Sequence, residues 1–232
     1  MLDSTTTTPA PTTPVTKIPR VNALQDKAHA NAISSSERSI KAALGSPALL
    51  LALAPSGYNE VRFNSGLQLA LTGQTTYDAR QGAMDVASTT QATLKAAREA
   101  ARVEFVSYRT VVQTNYEDAD RANLGASGRV TNDGDKFITH ARSAYSTALT
   151  PSHLAKLSEF GFTEERLNTN LANLDALMVL ASTADNAVSA AQTATEARNA
   201  AVEALNTWMA QLRKIAKDKL KARPDLLSLL KA

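Results

Sequence analysis

The chain has 232 residues, 25 Lys and Arg against 22 Asp and Glu, a formal charge of +3, and no Cys. Lack of Cys excludes a disulfide framework, an iron–sulfur cluster and a thiolate zinc site, and an apolar fraction of 44% excludes wholesale disorder. Aromatic residues are only 5% of the chain, so Ala, Leu and Val must build most of the core.

Residues 1–20 hold seven Thr and four Pro. Pro removes backbone donors and this composition cannot bury a core, which predicts a disordered Thr/Pro-rich tail. The start has no basic segment followed by an apolar one, so no secretory signal is expected. The longest apolar run, Ala48 to Pro55, falls far short of the ~20 residues that span a bilayer. The expected location is cytoplasmic.

From Val21 the pattern is helical. Leu24, Ala28, Ala32, Ile33, Ile40 and Leu44 recur at near-helical spacing over 24–44, and Ser46-Pro47 stops that helix. A short helix follows from Pro47 to Ala54, since Pro is well tolerated in a first helical turn. Gly57 ends it and Asn59 is placed to cap a long helix over about 59–118. Gly66, Gly73 and Gly82 interrupt that helix and are expected to mark bends or the close approach of another backbone. Its apolar stripe reads Leu67, Leu71, Leu94, Ala101, Phe105, Tyr108, Val112. Glu117 to Asp135 is polar, with the acidic cluster of Glu117, Asp118 and Asp120 beside Arg121 read as a solvated helix end. Helix resumes over about 134–149, a short one runs from Pro151 to Phe160, and Gly161 ends it. Thr163 caps a last long helix over about 163–222, read along Leu167, Leu171, Leu174, Met178 and Ala181 as coiled-coil-like without a strict heptad. Pro224 opens a final Leu-rich turn.

A search for repeats gives the most specific signal. At an offset of 104 positions, Pro47, Leu50, Leu53, Gly57, Glu60, Arg62 and Asn64 lie over Pro151, Leu154, Leu157, Gly161, Glu164, Arg166 and Asn168. Arg38-Ser39 lies over Arg142-Ser143, and Arg109 over Arg213. Identical Pro, Gly, Glu, Arg and Asn are not a by-product of Ala-rich composition. The expected fold is all-α: an elongated four-helix-type bundle from a tandem duplication of short helix, Pro-initiated short helix and long helix, about a pseudo-twofold axis. The first repeat unit covers 21–125, a linker 126–132 and the second unit 133–232, both sharing one core. The repeat turn is carried by Pro47, Gly57 and Asn59 and again by Pro151, Gly161 and Thr163.

The copies differ in their short helices. Leu49 and Leu51 stand where the second copy has His153 and Ala155. A helix apolar all round must be buried all round, so burial within the chain is the first expectation; Leu49, Leu51 and Ala52 are otherwise the candidate interaction surface, for self-association or, third, for membrane contact.

There is no phosphate-binding Gly loop, no Gly-x-Ser-x-Gly elbow and no Glu-x-x-His pair of the di-iron bundles. Asn132-Asp133-Gly134-Asp135 lacks the spaced ligands of a calcium loop and reads as an Asx turn capping a helix. His140 is expected in the core and His153 at the surface. No catalytic residue, cofactor or metal is expected. The function expected is that of a non-enzymatic structural or interaction protein with a protein partner or self-association and no small-molecule substrate. A membrane- or lipid-active protein is the alternative. A weak nucleic-acid binder using Arg213, Lys214, Lys217, Lys219, Lys221 and Arg223 is the second, although a solvated helix end explains that cluster and no nucleic acid is expected.

Overall fold

The computed structural model describes residues 23–131 and 133–230; the expected 1–20 tail lies outside them. The fold is all-α. Among the described residues eight helices follow in order: α1 Ala23–Leu44, α2 Pro47–Leu53, α3 Glu60–Asn115, α4 Asp118–Asn123, α5 Gly134–Ala148, α6 Pro151–Glu159, α7 Glu164–Lys219 and α8 Pro224–Ser228. A 3-10 turn, Ala54–Ser56, extends α2, and no strand occurs among the described residues. Both long helices have 56 residues. No single described helix is long and apolar enough to cross a membrane.

Two turns set where the long helices begin. Gly57 and Gly161 adopt φ of 81° and 80°, in the left-handed region that side chains resist. Tyr58 and Phe162 follow, both buried. The Asn59 side chain accepts from the Arg62 amide at 3.0 Å, and Thr163 Oγ1 accepts from the Arg166 amide at 3.3 Å, satisfying a free donor at each helix start. The Arg62 and Arg166 guanidiniums then cover the preceding rings at 4.4 and 4.1 Å. Asp133 caps α5 in the same way, its Oδ1 accepting from the Asp135 and Lys136 amides.

The chain divides into two compact units whose boundaries fall inside the long helices. In the unit made by the residues up to Ala87 and from Ala187 onward, Ile33, Ile40, Leu49, Leu53, Tyr58 and Phe63 pack with Val202, Leu205, Met209 and Leu212. A smaller cluster joins Met84, Ala87, Val188 and Ala191. In the Ser88–Asn186 unit the core is aromatic: Phe105, Tyr108, Phe137, Tyr145 and Phe162 meet edge-on or stacked, with Tyr108 and Tyr145 centroids 5.1 Å apart. The stretch over 124–128 is stitched to α3. Arg109 donates to the Ala126 and Gly128 carbonyls, Gln113 to Ala126 and the Tyr108 hydroxyl to Leu124.

Several readings of the sequence are corrected. Burial recurs in seven-residue steps through Asn170, Leu177, Ala184, Ala191, Arg198, Leu205 and Leu212 of α7. Gly66, Gly73, Arg80, Ala87 and Leu94 of α3 follow the same step. Met178 and Leu71 are therefore off the seam, 50% and 44% exposed. The helix α2 is not buried all round: Leu49 and Leu53, four apart, face the core while Leu51 is exposed. Leu24 is exposed too. His140 is an exposed residue rather than a core one, its Nε2 lying 2.9 Å from the Gly125 carbonyl. Gly66 marks the approach of a side chain, not a backbone. A Cβ built there would lie 2.5 Å from the Trp208 ring.

Candidate functional site

The most concentrated buried chemistry is an ionic bridge across three helices of one unit. Asp26 sits in the first turn of α1, where an acid complements the positive helix end. Arg80 of α3 and Arg198 of α7 occupy buried positions of their seven-residue rows. Arg80 Nη1 donates to Asp26 Oδ2 at 3.0 Å, and Arg198 Nη1 to Asp26 Oδ1 at 2.7 Å. The three side chains are at most 9% exposed. Burial pushes the Asp26 carboxyl up, but the Arg198 hydrogen bond and the charges of both arginines outweigh it and hold the group below the ordinary carboxylate range. One carboxylate between two guanidiniums leaves one net positive charge. His29, one turn further along α1, responds: burial and then the Arg198 charge lower its pKa, favouring the neutral ring. His29 Nδ1 and the Nε atoms of Arg80 and Arg198 are buried without hydrogen-bond partners.

The Ser88–Asn186 unit has its own polar cluster. Glu104 of α3 accepts from Arg166 Nε at 2.7 Å and from Asn170 Nδ2 at 3.2 Å, both on Oε1. The Arg166 hydrogen bond, against the pull of burial, lowers the Glu104 pKa. Arg166 is the same residue that covers Phe162 and donates to the Gly161 carbonyl. An exposed pair, Arg142 with Asp175, links α5 and α7 at 2.6 Å.

Comparison with known proteins finds no family model, curated protein or solved structure that matches the chain. The geometry alone therefore carries the functional reading. Both carboxylates are held as anions by arginines, which makes them weak bases and strong fasteners.

The predicted residues fall in two groups. Pro47, Gly57 and Asn59, and Pro151, Gly161 and Thr163, stand in their turns as described above. Of the apolar candidates, Leu49 is fully buried, Ala52 half-buried and Leu51 79% exposed. His153 is half-buried beside Tyr116, whose hydroxyl donates to the His153 carbonyl. The basic cluster at 213–223 is exposed, with Asp218 paired to Lys219 and Lys221, and Asp225 to Arg223. Among the described residues, no group of three or more His, Asp and Glu is placed to hold a metal.

Neither ionic cluster was found from the sequence. Arg80 and Arg198 lie in Ala-rich stretches where hydropathy passes over them. The available signal was positional: seven residues from Ala87 and Ala191 respectively, each continues the buried row.

Proposed function

We propose that the protein is a non-enzymatic helical structural protein, a scaffold, spacer or assembly component, that arose by tandem duplication of one helical unit. The carrying observation is the pair of 56-residue helices, each launched from a turn with the same glycine conformation, buried ring, cap and guanidinium cover. A chain that builds two such rods and commits its buried Asp26 and half-buried Glu104 to fastening them is organised for holding geometry. In this reading the polar interior serves specificity: a misregistered helix would leave a guanidinium buried without its anion.

The partner in this reading is a second copy, met through the outer face of α2 where Leu51 stands exposed. Light scattering behind size-exclusion chromatography over a wide concentration range tests it. Assembly that Leu51→Ser removes, with helicity retained, supports the proposal; a strictly monomeric wild type at high concentration overturns the self-association. Co-sedimentation with liposomes and binding to DNA or RNA at low salt test the two alternatives, and a positive result in either overturns the structural role in favour of that alternative.

A further inference from the structure

In the Ser88–Asn186 unit, α3, α5 and α7 enclose a groove of about 480 Å³, within the usual range of small-molecule sites. Its walls are apolar, including Ala97, Ala101 and Leu177, and Glu104 and Asn170 stand in them. Tyr145 also lines it. That residue is 2% exposed and its buried hydroxyl has no partner, so its desolvation is uncompensated. Glu104 places both of its hydrogen bonds on Oε1, which leaves Oε2 to accept another.

The other unit shows what fills the equivalent place. At the offset of 104, Glu104 corresponds to Trp208, Asn170 to Gly66 and Ala101 to Leu205. There the Trp208 ring lies against Gly66, so closely that a Cβ would collide with it, and packs edge-on against Tyr58 and Phe63. The aromatic ring present in one unit is replaced in the other by a carboxylate and an amide, while a more open depression remains beside Trp208, lined by Leu69 and Ala204.

We propose that this groove binds a small planar aromatic molecule carrying a hydroxyl group, which donates to Glu104 and accepts from Tyr145. A phenol satisfies both groups at once and its ring occupies the space that Trp208 fills elsewhere. This departs from the expectation of no small-molecule ligand. The aromatic shape of the guest rests on the duplication reading; the open groove and the unpartnered hydroxyl do not.

The test is titration of the full chain with 4-methylphenol, followed by calorimetry and ligand-observed NMR. Saturable one-site binding is expected. Tyr145→Phe should weaken it about 3- to 10-fold, the worth of one net hydrogen bond, without lowering the thermal midpoint. Ala101→Leu, which installs the residue found at 205, should abolish it, and Ala97→Leu gives a second filling of the groove should the first not fold. The methyl ether of the probe, which cannot donate, should bind more weakly. Absence of saturation by 4-methylphenol, equal affinity of the ether, or unchanged affinity in Tyr145→Phe and the filled variants each overturns the site. Glu104→Trp with Asn170→Gly separates the two readings. If this variant folds stably while the wild type never saturates, the duplication stands and the ligand site falls. If the wild type saturates and this variant collapses, the site stands and the correspondence falls.

Discussion

Arg198 donates to Asp26 at 2.7 Å across 172 residues of sequence, and the same carboxylate accepts from Arg80 on its other oxygen. One acid from α1 thus ties together the two long helices within its unit. Removing it strands two buried guanidiniums.

Asp26→Ala should therefore destabilise the protein strongly, by about 3–5 kcal/mol, the cost of breaking a buried ion pair from one side. Replacing all three members, Asp26→Leu with Arg80→Met and Arg198→Met, should be far milder or even stabilising, because no buried charge is left without a partner. Denaturant unfolding with a two-state fit checks both. A triple variant less stable than Asp26→Ala would show that the bridge contributes more than its charges.

Stability should fall on acidification. Asp26 and Glu104 have pKa values lowered from 3.8 and 4.5, so the unfolded chain binds more protons than the folded one across that region, and stability rises with pH there. The loss begins as pH drops through the ordinary carboxylate values and continues to the lower folded ones. His29 has the same sign: its folded pKa lies below 6.5, so stability declines as pH falls below that value and the unfolded ring takes a proton first. His29→Gln should flatten the upper part of the curve and Glu104→Gln the lower part. Thermal midpoints measured from pH 3 to pH 8, about the range these groups span, would expose a contrary slope.

Two glycines of α3 should respond in opposite directions. Gly82 has nothing within 4 Å of an added Cβ, so Gly82→Ala should stabilise by about 1 kcal/mol through helix propensity. Gly66→Ala meets the Trp208 ring at 2.5 Å and should destabilise despite the same propensity gain. Trp208→Leu should relieve that cost in the double variant. Equal effects at the two sites would contradict the close approach of the indole.

The turn glycines provide a paired test. Gly57→Ala and Gly161→Ala place a side chain at φ near +80°, and each should cost about 1–2 kcal/mol. Asn at either position should cost less, since it tolerates the left-handed region. Urea titration of the four single variants checks it; an Ala variant as stable as the wild type would mean that the turn is free to rearrange.

Pro, Gly, cap residues and apolar periodicity were legible because they act locally. Pro47 and Pro151 start helices through a fixed φ, Gly57 and Gly161 end turns through lack of a Cβ, and Asn59 and Thr163 cap through a neighbouring amide. Those signals placed most helix boundaries within a few residues and made the all-α class plain. The phase of the long helices was less legible. The seam of α3 carries Gly66, Gly73 and Arg80, and that of α7 carries Asn170 and Arg198, while Leu71 and Met178 point outward. Hydropathy finds the buried Leu94, Phe105, Tyr108, Val112, Leu167 and Leu174, but it also follows Leu71 and Met178 outward and passes over the glycines and arginines of the seam.

The sequence alone determined what each segment does to its own backbone: which stretches are helical, where they stop, and which two turns are alike. The tertiary structure alone decided which polar residues are interior. Arg80 and Arg198 are buried against an anion from elsewhere in the chain: Asp26, 54 residues from Arg80 and 172 from Arg198, is brought there by folding. The burial of these two charges depends on that distant pairing, which the spacing of each arginine within its own helix does not reveal.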